Sequence, residues 1–260
     1  MIYAFKRGKI AFGTILGLSL VITVLIWQRD RNYPVIVPVI ATVLMLAIGV
    51  VVGRLAGNIL ASSENTKYLG YLHMELDPEK FIRCYREIPE KVKGEATAAI
   101  CRSYLADGYG AAGDYDEAIR LLRVAPPADN LAVQGLYAAN LAQYLLAKQD
   151  TEGAEEALRE LSGIIDACRM NRADLAKNLI SMQTLHTQHL RCLQGKPVDV
   201  EELELAFSHA QYNLRRLEIA RVLALTAIRD GDEAAKKKQL SFLRKNGGLT
   251  VYKRWADQQS

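Results

Sequence analysis

The stretch from Tyr104 to Pro127 constrains the fold more than any other part of the chain, because its pattern is that of two amphipathic helices joined by a tight turn. Gly113 permits the positive φ that a helix end prefers, and Asp114 or Asp116 can cap the following helix. The apolar and small residues that recur at helical spacing, and that we expect to pack the two helices together, are Leu105, Ala106, Tyr109, Ala118 and Leu122.

The order of residues in this stretch, L-A-x2-Y-x3-G-D-Y-D-E-A-I-x2-L, resembles a tetratricopeptide repeat (TPR). The resemblance implies an all-α solenoid of stacked helical pairs. One pair cannot bury its apolar face alone, so neighbouring pairs are expected on both sides.

Further pairs follow at similar spacing. A shift of 36 residues superimposes the packing positions, without a gap, on Leu141, Ala142, Asp150, Ala154 and Leu158. A shift back by 37 residues brings in Asp77, Phe81, Ile82 and Tyr85, with Pro78 in the first helical turn. A third match surrounds Gly231 and Asp232, and residues 172 to 210 form a degenerate pair. We expect four to five pairs over 68–248, packed less regularly where Phe81 and Lys236 replace small residues.

Two uncharged apolar runs precede the repeats, at residues 10–27 and 35–53, and each is long enough to cross a bilayer. A cleaved signal peptide would have a shorter apolar core and a small-residue cleavage site, so we favour a transmembrane hairpin over residues 1–57. Residues 58–67 then form a short linker with a polar break. The tail, 249–260, is expected to be frayed or a small cap, with contact between Trp255 and lipid headgroups as an alternative.

Charge and aromatic residues orient the hairpin. Five cationic residues flank the terminal side, against Arg29 and Arg31 in the connecting loop, which places both termini in the cytoplasm, at a plasma (inner) membrane. Tyr3 and Tyr33 suit opposite interfaces. Glycines at four-residue spacing are expected to pack the two spans together, although glycine is also simply common in membrane helices. They are Gly13, Gly17, Gly49, Gly53 and Gly57.

Composition excludes some functions. The net charge of +4 lies entirely in the first 53 residues, and the neutral remainder argues against a general nucleic-acid binder. Within that remainder, residues 54–210 carry −6 and residues 211–260 carry +6, which predicts a solvated surface of mixed charge. The four cysteines form no C-x-x-C pair and are expected to be reduced core thiols: Cys84, Cys101, Cys168 and Cys192.

The sequence contains few candidates for catalytic motifs. His186 and His189 lie three residues apart without the spacing or the glutamate of a zinc motif, so a structural or exposed role is favoured. The chain has no phosphate-binding glycine motif and no recognisable nucleophile turn. We therefore expect no enzyme activity, cofactor, metal or small-molecule substrate.

The TPR resemblance implies a concave groove, lined by the first helix of each pair, that receives a peptide. By position, its inward residues would be Ile100, Ser103, Asp107, Leu136, Ala139, Asn140 and Gln143. Asn140 is expected to bond a bound peptide backbone, with a hydrogen bond inside the array as the alternative. We expect Asn140, Gln143 and Asp107 to be exposed, and the leucines at 105, 122, 141 and 158 to be buried.

The sequence thus predicts an all-α protein: a lipid-embedded hairpin (residues 10–53) that carries a non-enzymatic adaptor, which positions a protein partner at the membrane. The alternative is a structural subunit or assembly factor of a larger membrane complex for secretion or envelope synthesis.

Topology is directly testable. A single cysteine at Ser260, in a background without the four native cysteines, should resist a membrane-impermeant maleimide in intact cells, because both termini are expected in the cytoplasm. A cysteine that replaces Asn32 in the connecting loop is the matched control and should be labelled. Ready labelling at position 260 would reverse the orientation.

Overall fold

The computed structural model describes residues 4–29 and 34–259, and in these the only regular secondary structure is helical. Tyr3, Arg31 and Tyr33, which bear on the predicted membrane interfaces, lie outside the described residues. The helices are α1 (Lys6–Arg29), α2 (Ile36–His73), α3 (Pro78–Tyr85), α4 (Ile88–Lys91), α5 (Glu95–Ala112), α6 (Tyr115–Leu122), α7 (Leu131–Ala147), α8 (Thr151–Cys168), α9 (Ala173–Leu193), α10 (Val200–His209), α11 (Asn213–Asp230), α12 (Glu233–Asn246) and α13 (Val251–Gln258).

The chain divides into two compact units. The first comprises residues 1–68 and 87–93, and the second comprises residues 69–86 and 94–260. Only α1 and α2, among the helices described, are long and apolar enough to cross a membrane. The short helix α4 belongs to the same unit as these two helices, which the sequence did not indicate.

Within the first unit, α1 and α2 approach closely at two glycines. A Cβ built on Gly49 would lie 2.1 Å from Oγ of Ser19, and one built on Gly53 would lie 3.1 Å from the ring of Phe12. The prediction that these glycines pack the two spans together is confirmed. It is wrong for Gly13 and Gly17, because nothing lies within 4 Å of a Cβ built on either residue.

Polar groups of the hairpin find partners within it. Trp27 Nε1 donates to Thr42 Oγ1 over 2.8 Å, and the hydroxyl of Thr23 donates to the carbonyl of Ser19. The buried carboxylate of Glu64 accepts the backbone N–H of Arg7 at 3.0 Å, in the first turn of α1. Such internal pairing is needed where no water is available.

The predicted linker is not a break. Helix α2 continues through residues 58–67, and the polar Ser-Ser-Glu-Asn-Thr patch is helical. Ala61 and Glu64 are buried within this segment, one turn apart and on the face that carries Gly49 and Gly53. The packing face of α2 therefore extends past the apolar run, and this overrides the weak helix propensity of the polar residues.

The second unit is an array of helical hairpins with a repeated turn. An aspartate caps the second helix of each hairpin by accepting a backbone N–H three residues on. These caps are Asp77, Asp114, Asp150, Asp199 and Asp232. The spacing of 36 or 37 residues read from the sequence is therefore the spacing of the first three capped turns, and the cap at the clearest turn is Asp114 rather than Asp116.

The residue before the cap has a left-handed conformation in four of these turns, with φ between 57° and 88° at Leu76, Gly113, Gln149 and Gly231. In three of them the N–H of the aspartate also donates to the carbonyl five residues earlier, as Asp114 does to Tyr109 over 2.9 Å. The same residue pair thus ends one helix and begins the next. A non-glycine side chain here is unfavourable, since left-handed backbone crowds its Cβ.

The predicted packing residues are mostly confirmed. Ala106, Ala118, Ala142 and Ala154 are fully buried, and Leu105, Leu122 and Leu158 are at most 8% exposed. Tyr109 and Leu141 are only partly buried, which corrects the expectation for Leu141. Four alanines without exposed surface are what close approach between helices requires.

Phe81 does not loosen its pair as expected. Its ring is fully buried over Gly108, where an added Cβ would lie only 2.6 Å from the ring, so a glycine on α5 provides the space that a small residue on α3 would have left. The pair around Gly231 and Asp232 is present as α11 and α12. Of the two alternatives for the tail, a frayed terminus or a small cap, the structure has the small cap, because residues 251–258 form α13 with Tyr252 and Ala256 buried.

The described cysteines are all free. Cys101, Cys168 and Cys192 are buried, as predicted, whereas Cys84 is exposed and is not a core thiol.

The left-handed turns give a stability test. Gln149→Gly should raise the free energy of unfolding by about 0.5–1 kcal/mol by relieving left-handed strain. Gly231→Ala should lower it by about 1 kcal/mol from strain alone, because nothing lies within 4 Å of the added Cβ. Denaturant unfolding of the full chain in detergent micelles measures both. Gly163→Ala, at an open position inside α8, is the control and should stabilise slightly. If Gln149→Gly lowered the free energy of unfolding, the inference that the left-handed backbone at Gln149 is strained would be wrong.

Candidate functional site

The predicted groove residues lie on α5 and α7, but they do not form an open polar surface. Ser103 and Ala139 have no exposed surface and Asn140 is 3% exposed, while the other four are partly buried. The prediction that Asn140 is exposed is therefore wrong. Ile100 and Leu136, at equivalent positions on the two helices, retain partial exposure.

Asn140 is engaged inside the array. Its Nδ2 donates to Ser103 Oγ at 3.0 Å and to Asp107 Oδ1 at 2.7 Å, and the hydroxyl of Tyr144, one turn further along α7, donates to the same carboxyl oxygen at 2.7 Å. The amide thus links α5 to α7, which is the alternative role considered for it. Because α5 and α7 pack against each other, Asn140 lacks the solvent exposure that a peptide-binding asparagine needs.

Asp107 is the most perturbed acid of this network. Burial raises the pKa of its carboxyl to about 7, and the neighbouring charge of Glu218 acts in the same direction, whereas the hydrogen bond from Tyr144 opposes the rise. The carboxyl therefore exchanges its proton near neutral pH. Its only direct polar partners on these helices, Asn140 and Tyr144, are neutral.

Helices α11 and α13 cover the inner face. Gln143 Nε2 donates to Glu218 Oε1 on α11 at 3.1 Å, and Gln143 lines a cavity together with Tyr252 of α13. Arg221 Nη1 on α11 reaches the hydroxyl of Tyr115 at 3.4 Å. The array therefore curls until its later helices contact its earlier ones, and this long-range closure could not be read from residue spacing.

A small cavity of about 30 Å³ remains where these helices meet, and it has a polar lining. Its polar lining includes Tyr115 of α6, Gln143 of α7, His186 and His189 of α9, Glu218 and Arg221 of α11, and Tyr252 of α13. This volume suits one or two water molecules and is far below the several hundred Å³ of small-molecule sites.

Both histidines line this cavity and are buried, which decides between the structural and exposed roles considered for them. Burial lowers the pKa of His189 to about 3 and that of His186 well below its ordinary value, with nearby arginines acting in the same direction. His186 Nε2 and Arg221 Nε have no hydrogen-bond partner. Among the described residues, no three His, Cys, Asp or Glu side chains are grouped to hold a metal ion.

A second concave surface, the outer cleft, lies between α9, α10 and α11. It encloses about 330 Å³, and its lining combines Leu185, Leu203 and Ile219 with the charged residues Glu202 and Arg215. Leu205 in this lining is 59% exposed. A cleft with an exposed leucine and a partly polar lining is a surface suited to contact with another protein.

Sequence reasoning missed Tyr144, Glu218, Arg221 and Tyr252. Tyr144 lies four residues after Asn140, so helical spacing places it on the same face and could have identified it. The other three approach α7 only through closure of the array, and no local pattern indicates that contact.

Comparisons with protein-family models, curated proteins and solved structures gave no match for this chain. The site is therefore described by its geometry alone.

Asp107 gives a prediction for pH. Because its folded pKa is raised, the folded protein retains a proton that the unfolded chain releases between about pH 4 and pH 7, so its contribution to stability falls as pH rises through this range. Asp107→Asn should remove that dependence and gain on the order of 2 kcal/mol over wild type between pH 5 and pH 8.

Chemical denaturation of the full chain in micelles at the two pH values measures this gain. His186 and His189 are present in both proteins, so their contribution cancels in the difference. Asp129→Asn, at an exposed position, is the control and should track wild type. Parallel pH profiles for Asp107→Asn and wild type would show that Asp107 is ionised normally.

Proposed function

We propose that this chain is a membrane-anchored, non-enzymatic adaptor that binds a protein partner through the inner face of its helical array. The helices α1 and α2 anchor it as a multi-pass hairpin in the plasma (inner) membrane, and the array with both termini faces the cytoplasm. The charge asymmetry of the flanks supports this orientation. The repeated turns and the quoted motif support a TPR-type array.

One observation carries the proposal: the inner face already holds a helix. Tyr252 of α13 lies among side chains of α6, α7 and α11 at the polar cavity, and α13 contacts the end of α5 through Arg254. Helix-in-groove binding uses contacts of this kind. The cavity beside it has room for water but not for a substrate, so the cluster of perturbed ionisable groups favours segment binding over catalysis.

The outer cleft favours a second candidate, a structural subunit of a larger membrane complex. Leu205 and its apolar surroundings would then be covered permanently by another subunit, as obligate interfaces bury apolar surface. In this case the partner contacts α9–α11 on the outside, and the inner face is only a packing surface.

A comparison of two variants tests the proposal. We expect Ile100→Glu combined with Leu136→Glu, at the partly exposed part of the inner face, to reduce at least fivefold the recovery of a partner that co-purifies with tagged full-length protein from solubilised membranes. Leu205→Glu should leave that recovery unchanged. Quantitative mass spectrometry measures it, with Asp129→Asn as the control.

Loss of the partner with Leu205→Glu alone would support the structural subunit instead. If neither the Ile100 and Leu136 double variant nor Leu205→Glu reduces recovery of the partner, the partner binds at neither surface. Equal helicity of all variants by circular dichroism shows that the array remains folded.

A further inference from the structure

Helix α13 presents one face to the array, as a bound amphipathic peptide does. Tyr252, Trp255 and Ala256 lie at i, i+3 and i+4, and Tyr252 and Ala256 are 7% and 0% exposed. On the other side of the helix, Arg254 and Asp257 are exposed. Only four residues, from Gly247 to Thr250, separate α13 from α12.

The contacts of α13 are specific side-chain contacts. Tyr252 lines the same cavity as Gln143, and the ring of Trp255 lies 5.5 Å from the Arg221 guanidinium. Arg254 donates to the carbonyl of Ala112, the last residue of α5. A cation at this position complements the partial negative charge of the helix C-terminus.

The earlier part of the chain is acidic and the later part is basic. Residues 54–210 carry a net charge of −6, and residues 211–260 carry +6. The lining of the cavity holds one charge of each sign, Glu218 and Arg221. The preference for a cationic occupant comes from the C-terminal end of α5, where the cation of Arg254 contacts the carbonyl of Ala112.

The closed arrangement is imperfect where α13 and α11 meet the array. His186 is 2% exposed, yet its Nε2 has no partner, and Nε of Arg221 is likewise buried and unpaired. Both residues line the cavity of about 30 Å³. A space of this size admits one or two water molecules as partners, and α13 provides no direct side-chain partner for either atom. A segment with a polar side chain directed into this space would pair with them directly.

We propose that α13 is a built-in occupant of the partner-binding face, and that the partner is a cationic amphipathic helix of another protein, with aromatic residues three apart, that displaces it. The inference rests on the proposed adaptor function and adds the chemistry of the partner and the regulation of access. In the closed state the chain binds its own helix, and a partner must compete with a segment tethered at high effective concentration.

A peptide tests the displacement. The probe is a fluorescein-labelled peptide of residues 249–260, and fluorescence anisotropy measures its binding to the full chain in nanodiscs. Tyr252→Ala weakens the tethered helix and should bind the probe at least tenfold more tightly than wild type does. Gln258→Ala, at an exposed position at the end of α13, should behave as wild type. A probe with alanine in place of its tyrosine and tryptophan should not bind.

Hydrogen exchange on the wild-type chain provides a measurement that needs no variant. Saturating unlabelled probe should accelerate exchange of the α13 amides at least tenfold, while α5 and α7 remain protected. The proposal would be overturned if the amides of α13 exchanged only together with those of α11 and the probe did not change their exchange rate. Equal probe binding to wild type and to folded Tyr252→Ala, or a dimer that exchanges α13 between two copies, would also overturn it.

The outcomes separate this inference from the adaptor function. If the probe fails but the Ile100 and Leu136 double variant still loses its partner, the adaptor function stands and the role of α13 is wrong. If the probe displaces α13 but no partner depends on the inner face, closure is real and the adaptor function is wrong.

Discussion

The array depends on one constraint, the turn in which a single residue pair ends one helix and caps the next. The first residue of the pair has a left-handed backbone in four turns, and the following aspartate accepts an N–H from the new helix in five. Helix ends leave backbone groups unpaired, so a shared turn satisfies two ends in very few residues. It also fixes each hairpin as antiparallel, which brings the alanines of facing helices together.

Small residues then set how closely the helices approach. Ala106 and Ala118 have no exposed surface, and Gly108 provides the space that the ring of Phe81 fills. The hairpin of α1 and α2 uses the same principle, because a Cβ on Gly49 would lie 2.1 Å from Oγ of Ser19. In both units, a small residue on one helix leaves space that a side chain of the neighbouring helix fills.

Closure of the array buries an aspartate and two histidines whose contributions to stability change with pH in opposite directions. Burial raises the pKa of Asp107 to about 7, so its contribution to stability is lost as pH rises towards neutrality. Burial lowers the pKa of His186 and His189, so their contribution is complete above about pH 6.5 and is lost as pH falls below it. The two histidines line the cavity that Tyr252 of α13 also lines, and Asp107 on α5 is joined to this cavity through Tyr144.

The sequence by itself determined the helices, the turns and most packing positions, because each depends on residues less than one repeat apart. Gly113, Asp114 and Ala118 are examples in which local spacing and backbone chemistry suffice. Tertiary structure decided the rest. It buried Asn140 between α5 and α7, continued α2 through the polar patch at 58–67, and placed Tyr252 against Gln143, more than 100 residues away. The first two outcomes depend on packing between neighbouring helices, and the third depends on the curvature that accumulates over successive hairpins, which no local pattern encodes.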